Sequence, residues 1–189
     1  MSTKQMRFDS DARQEFKRGV DHIARAVATT MGPNGRHVVL EKSFGGPSVT
    51  RDGVTVAKEV DLPAPFENMG AKMISQVAKK TADIAGDGTT TATVLAQALY
   101  TDGLRHVTAG ANPVAIQRGV NKAAAIACDA VEKCASKCTG KADLAKIATI
   151  SANQDSEIGK MIAEALDRVG ADGVIEVEEG KTANTTLDY

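Results

Sequence analysis

Apolar residues recur at spacings of three and four along most of this chain, and small-residue turns interrupt the helical period. Ala12, Phe16, Val20, Ile23 and Val27 form the first such series, with Ser10 placed to cap it and Gly32-Pro33 to end it. Val38-Val39-Leu40 is a short apolar run before Gly45-Gly46-Pro47, which predicts a strand with Ser48-Val49-Thr50 as its hairpin partner. A second helix is predicted from Phe66 to about Ile84, broken at Gly86, and a third from Thr89 to about His106. After the turn Gly110-Ala111-Asn112, Pro113 suits a first helical position. Ile116, Val120, Ala123, Ala127 and Val131 then carry a long helix to about Ala135. Ser136 to Lys141 is a polar, glycine-containing break. It is the expected domain boundary, dividing the chain into residues 1–136 and 137–189. Beyond it come a short helix near Ala142–Ala148 and another with Ile158, Met161, Ile162, Ala165 and Val169 on one face, stopped by Gly170. Val174-Ile175-Glu176-Val177 alternates as a half-buried strand would. The expected class is mainly α with small β elements, without internal repeats.

Composition sharpens this picture in one respect. Only 3% of residues are aromatic and none is tryptophan, so a core must be built from Ala, Val, Ile, Leu and Met, as in packed helices. The formal net charge of −1 gives no electrostatic footprint for nucleic acid or an anionic membrane surface. No run of about 18 apolar residues is present to suggest a transmembrane helix. Met1 to Phe8 has neither an apolar core nor a cleavage pattern, so the expected location is cytoplasmic.

The densest chemistry lies in Gly86-Asp87-Gly88-Thr89-Thr90-Thr91, where an apolar helical pattern begins at once. Glycine lets the backbone approach a ligand, and a helix start presents unpaired N–H groups with a partial positive charge. Threonine hydroxyls add donors there. Asp87 supplies the hard oxygen preferred by a Mg²⁺ ion carried on phosphates. The chemistry is that of a Mg–nucleotide triphosphate cradle, although no Walker Gly-x-x-x-x-Gly-Lys-Ser/Thr occurs. Taken alone, the six residues are better read as a glycine-rich turn with a threonine N-cap.

Three further segments join it in order: Thr30-Met31-Gly32-Pro33-Asn34-Gly35-Arg36, Thr50-Arg51-Asp52-Gly53 and Thr149-Ile150-Ser151-Ala152-Asn153. With Gly35-Arg36-His37-Val38-Val39-Leu40-Glu41-Lys42-Ser43-Phe44-Gly45 and Phe66-Glu67-Asn68-Met69-Gly70-Ala71, they resemble the group I chaperonin large subunits, the GroEL family. The resemblance runs from about Arg7 to the end of the chain. The Gly-Asp-Gly-Thr-Thr core is shared with archaeal and eukaryotic cytosolic chaperonins. Asp52-Gly53-Val54-Thr55-Val56-Ala57 and Ile150-Ser151-Ala152-Asn153 fit the bacterial and organellar group better.

The resemblance implies a multihelical equatorial, ATP-binding domain over residues 1–136 and the first part of an α/β intermediate domain over 137–189. It implies that Thr30, Met31, Gly32 and Pro33 lie against the nucleotide phosphates. Asp87, Gly88, Thr89, Thr90 and Thr91 would form the phosphate and Mg²⁺ cradle, with Asp87 as metal ligand. Asp52 would be the catalytic carboxylate near the attacking water, and Ser151 would approach the nucleotide from the intermediate domain. Met31 stands where leucine is common, a volume-conserving exchange. Arg51 stands where lysine is usual; a contact to the nucleotide is expected there, with a planar fork replacing an ammonium. The implied cofactors are ATP and Mg²⁺. The implied partners are sibling subunits of a homo-oligomeric ring, unfolded polypeptides and a GroES-like co-chaperonin. The family's apical domain, a second catalytic aspartate and the adenine contacts are expected beyond Tyr189. Two other functions fit the same residues: a stand-alone ATP-binding module, or a non-catalytic truncated paralogue acting through subunit association.

The remaining candidates have simpler explanations. Cys128, Cys134 and Cys138 lack a nearby histidine and read as reduced structural thiols rather than a metal site. His22, His37 and His106 occupy unrelated contexts, and no serine or cysteine has a nucleophile setting. Glu176, Glu178 and Glu179 read as a solvated strand edge.

Overall fold

A computed structural model of the 189-residue chain describes residues 4–42, 45–170, 173–178, 180 and 185–188. Ser43, Phe44 and Glu179, which enter the sequence reading above, lie outside the described residues. Chain contacts divide it into two units, Met1–Lys122 and Ala123–Tyr189, with the division inside one long helix.

The first unit begins with α1 (Asp9–Ala28), which buries Val20, Ile23 and Val27 from the predicted apolar series. Its N-cap position is Phe8, and no side chain caps it. Ser10 is already inside the helix and bonds Asp11 instead, so the expected Ser10 cap is not formed. The hairpin is present as β1 (Val38–Leu40) and β2 (Ser48–Thr50), antiparallel with Val39 opposite Val49. A short helix, α2 (Gly53–Glu59), follows directly and was not expected from the periodicity. Seven residues are too few for a helical period to be read, and its stability comes from burying Val56 and Ala57.

Helix α3 (Pro65–Ala85) begins with proline and stops at Gly86, whose φ of 71° places it in the left-handed region. Helix α4 (Thr89–Thr108) follows after Gly88, also left-handed at φ 78°. The core joins Val20, Ile23 and Val27 of α1, Val56 and Ala57 of α2, and Ala71, Ile74 and Ala78 of α3. Phe16 and Tyr100 close its edge with ring centroids 5.4 Å apart. The side chains are small, as the aromatic-poor composition required, and backbones therefore come close. A Cβ added at Gly19 would lie 1.7 Å from the Glu67 carbonyl oxygen, and one at Gly70 would lie 2.2 Å from that of Phe16. The two glycines are what allow α1 and α3 to cross at this distance. Arg18 Nε donates to Glu67 Oε1 at 2.6 Å beside the crossing.

Helix α5 (Pro113–Cys134) spans the division between units and buries none of its residues. Asn112 Oδ1 accepts from the amides of Val114 at 2.8 Å and Ala115 at 3.3 Å, giving α5 a side-chain cap.

In the second unit, α6 (Lys141–Ser151) packs on α7 (Ser156–Val169). Gly159 lies so close to α6 that an added Cβ would sit 2.1 Å from Thr149 Oγ1. Asp155 caps α7 through the amides of Glu157 and Ile158. The strand expected at Val174–Val177 is not formed among the described residues. Val174 and Val177 are 91% and 84% exposed, while Ile175 lines a cavity of about 180 Å³ with Ile158, Met161 and Leu187. Alternation specified two faces, but a strand also needs a neighbouring ladder, and no described segment of this unit supplies one. No described helix is long and apolar enough to cross a membrane.

Candidate functional site

Three segments of the first unit converge where α1 ends, where α2 begins and where α4 begins. The first is the loop after α1. Thr30 remains tied to the helix end, its amide and its hydroxyl both donating to the Val27 carbonyl, at 3.1 and 2.8 Å. The chain then turns through Gly32 at φ 78° and returns, with the Gly35 amide donating to the Gly32 carbonyl at 2.9 Å and the Arg36 amide to the Thr29 carbonyl at 2.8 Å. Gly35 is buried, and an added Cβ would lie 2.2 Å from the Thr30 carbonyl oxygen. Met31, Gly32, Pro33 and Asn34 are exposed at the tip, and nothing lies within 4 Å of a Cβ added at Gly32.

The second segment is the Thr50–Gly53 turn, which β2 delivers. Arg51 donates from Nη2 to the Gly35 carbonyl and so ties this turn to the loop. Asp52 is the N-cap of α2. Its carboxylate accepts from the Thr55 amide at 2.9 Å, the Thr55 hydroxyl at 2.5 Å and the Val54 amide at 3.4 Å. A carboxylate has about four acceptor positions, so one remains for an outside donor.

The third segment is Gly86 to Thr91. Asp87 stands exposed between two left-handed glycines and accepts the Gly88 amide at 2.6 Å. No side chain caps α4, so the first amides of this 20-residue helix carry no side-chain acceptor. Thr89 and Thr93 are buried, with the Thr93 hydroxyl donating to the Thr89 carbonyl at 2.8 Å. The contact that joins the segments is at Gly53. A Cβ there would come 2.1 Å from Thr90 Oγ1 and 3.3 Å from Val27 Cγ1. The start of α2, the first turn of α4 and the end of α1 therefore meet at one glycine.

Thr30, Arg51, Asp52 and Thr90 are thus linked through Gly35 and Gly53, two residues that the sequence reading quoted only as parts of motifs. The signal for them was available, since each stands beside a polar, turn-forming residue before a structured element. Burial against a neighbour's backbone or hydroxyl was not. Ser151, the last residue of α6, is exposed and belongs to the second unit.

The donor set suits an anion carrying a hard cation: uncapped helix amides, threonine hydroxyls and one free-standing carboxylate, with open space beside Gly32, Gly86 and Gly88. No group of three or more His, Cys, Asp or Glu able to hold a metal by themselves occurs among the described residues. A Mg²⁺ ion held by one carboxylate, phosphates and water does not need such a group. Cys128, Cys134 and Cys138 are all exposed. A separate cavity of about 310 Å³ between α1 and α4 is lined by Lys17, Asp21, Arg25 and Gln97. Its carboxylate is already engaged, by Lys17 Nζ at 2.5 Å and by Gln97 Nε2 at 2.8 Å.

A predominantly helical assembly with this hairpin and these helix starts has the fold of the chaperonin equatorial domain. Residues 23–188 match the TCP-1/cpn60 chaperonin family, and the chain belongs to that family. A group III chaperonin, crystallised in the open state, is 30% identical, with a TM-score of 0.69 over 84% of this chain and 32% of its own. The chaperonin gp146 from the bacteriophage EL 2 (Pseudomonas aeruginosa), crystallised in the presence of ATP-BeFx, is 27% identical. Its TM-score is 0.67 over 82% of this chain and 28% of its own. The chain therefore spans about a third of the length of each of these chaperonins.

Proposed function

We propose that the chain serves a group I, GroEL-type chaperonin subunit that binds and hydrolyses Mg-ATP to drive folding of unfolded polypeptides in an oligomeric ring. The observation that carries this reading is the contact of Gly53 with Thr90, which seats the Asp52 turn on the helix that opens after Asp87. The group I assignment rests on the phrases Asp52–Ala57 and Ile150–Asn153. In this reading residues 1–136 are equatorial, residues 137–189 begin the intermediate domain, and the setting is cytoplasmic.

The geometry supports a role for each of these residues. The α4 amides and the hydroxyls of Thr89, Thr90 and Thr91 donate to phosphate oxygens, where charge grows as the γ-phosphate leaves. Thr30, Met31, Gly32 and Pro33 form the facing wall, with the positive φ of Gly32 letting the backbone come close. Bound Mg²⁺ would supply neutralisation of that charge, and Asp87 would be the residue to hold it. Asp52 uses its remaining acceptor position to orient the attacking water. Arg51 steadies the loop. Sibling subunits, unfolded clients and a GroES-like lid are the partners this role requires.

The test is Mg-ATP titration of the chain and of Asp87→Ala, by calorimetry, with and without EDTA. Mg-dependent affinity is expected to disappear in the variant while helix content, read by circular dichroism, stays unchanged. Equal binding by parent and variant would remove the cradle assignment.

A further inference from the structure

Arg51 is the side chain that reaches from the α2 side of the site to the loop on its other side. The loop tip, Met31 to Asn34, is exposed, and Gly32 and Gly35 offer no side chain by which it could be anchored. What shapes it is backbone: the Gly35 amide on the Gly32 carbonyl, the Arg36 amide on the Thr29 carbonyl, and the close seat of Gly35 against Thr30. The Gly35 carbonyl then accepts from Arg51 Nη2.

The anchor itself is held. Asp52, the next residue, has its amide on Thr50 Oγ1 at 3.0 Å and its carboxylate on the start of α2, while Gly53 lies against Thr90. A chain of contacts thus runs from the loop through Arg51 to α2 and on to α4. We propose that Arg51 is a positioning residue, which sets the Thr30–Gly35 loop at the distance from α4 that a nucleotide triphosphate needs. The proposal rests on the Mg-ATP reading above and deepens it. A guanidinium suits the task because it stays charged across the working pH range and presents its donors in a fixed plane. One N–H serves the Gly35 carbonyl, and four others remain for phosphate or water.

The experiment compares the parent chain with Arg51→Ala and Arg51→Lys. Hydrogen exchange at the amides of Gly35 and Arg36 is followed without nucleotide, and Mg-ATP affinity is measured separately. Loss of one hydrogen bond from a charged donor predicts roughly tenfold faster exchange at those two amides in Arg51→Ala. Mg-ATP binding should be about tenfold weaker, with exchange in the α1 and α3 core unchanged. Arg51→Lys, which keeps the charge and the stem, should recover part of both losses. Weakened binding with parental exchange would make Arg51 a phosphate ligand and overturn the positioning role. Parental values of both would overturn it as well. If Arg51→Ala fails to fold, Arg51→Lys carries the same comparison. A parent chain that binds no Mg-ATP would sink the nucleotide reading itself, and with it this inference.

Discussion

Helices α3 and α5 run for 21 and 22 residues, each begins with proline, and their sequences are equally amphipathic. Their environments could hardly differ more. Helix α3 buries Gly70, Ala71, Ile74 and Ala78, whereas α5 buries nothing and leaves Ile126 60% and Val131 70% exposed. Amphipathic period therefore specifies that a segment is helical and which face is apolar, but not what covers that face. The distinguishing feature is the use of glycine. Gly70 stands where α1 crosses at backbone contact, while Gly119 of α5 has nothing within 4 Å of an added Cβ.

The widest separation between the two helices should come from truncating one isoleucine in each. Ile74 is 5% exposed inside the core, and Ile74→Ala should cost about 2–5 kcal/mol. Ile126→Ala should change stability by less than about 0.5 kcal/mol. Urea unfolding followed by circular dichroism measures both. A cost of several kcal/mol at Ile126 would mean that α5 has a partner, such as a second copy, in solution.

Next come the glycines. Gly70→Ala pushes a methyl toward the Phe16 carbonyl, and rigid overpacking of this kind costs about 1–3 kcal/mol. Gly119→Ala in an open helix should instead gain about 0.5–1 kcal/mol. Opposite signs in the two melts are the expected result. Equal destabilisation would show that close approach at Gly70 is not what sets α3 apart.

These glycines also mark where sequence reading stops. The apolar series Val20, Ile23 and Val27 was legible because three- and four-residue spacing is a direct consequence of helix geometry. So were the hairpin, the stop at Gly86 and the helix start at Thr89, each signalled by local turn chemistry. Gly19, Gly53 and Gly70 act through neighbours distant in sequence, and spacing carries no trace of that. The same holds for Asp52. Its carboxylate was legible as a candidate for chemistry, but its capping of α2 was not, because α2 itself is too short to announce. At Val174–Val177 the local pattern was present, and among the described residues no neighbouring strand pairs with it.

Caps offer a smaller contrast. Removing the Asp52 carboxylate strips α2 of its cap, and α2 contributes Val56 and Ala57 to the core, so Asp52→Ala should lower global stability by about 1 kcal/mol. Asn112→Ala removes the cap of α5 on the same scale. Because α5 is not tied to a core, its loss should appear as fraying in circular dichroism, with the urea midpoint of the first unit unchanged. A shifted midpoint in Asn112→Ala would couple α5 to that core.

The smallest effect concerns Asp21, on the rim of the core that α5 does not share. Partial burial would raise the pKa of its carboxyl. That is outweighed by hydrogen bonds from Lys17 and Gln97 and by the nearby charges of Lys17 and Arg25, so the value falls below the usual 3.8. A carboxylate with a depressed folded pKa contributes stability above its unfolded pKa and loses it as pH falls through the folded one. At pH 7 the Asp21→Asn variant should be less stable than the parent by under about 1 kcal/mol, because the Lys17 pair is partly open to solvent. Below about pH 4 that difference should shrink, since the parent's own carboxylate is then becoming neutral. Paired urea melts of the two proteins at pH 7 and pH 3 read the difference directly. A gap that stayed the same or widened on acidification would overturn the sign argued here.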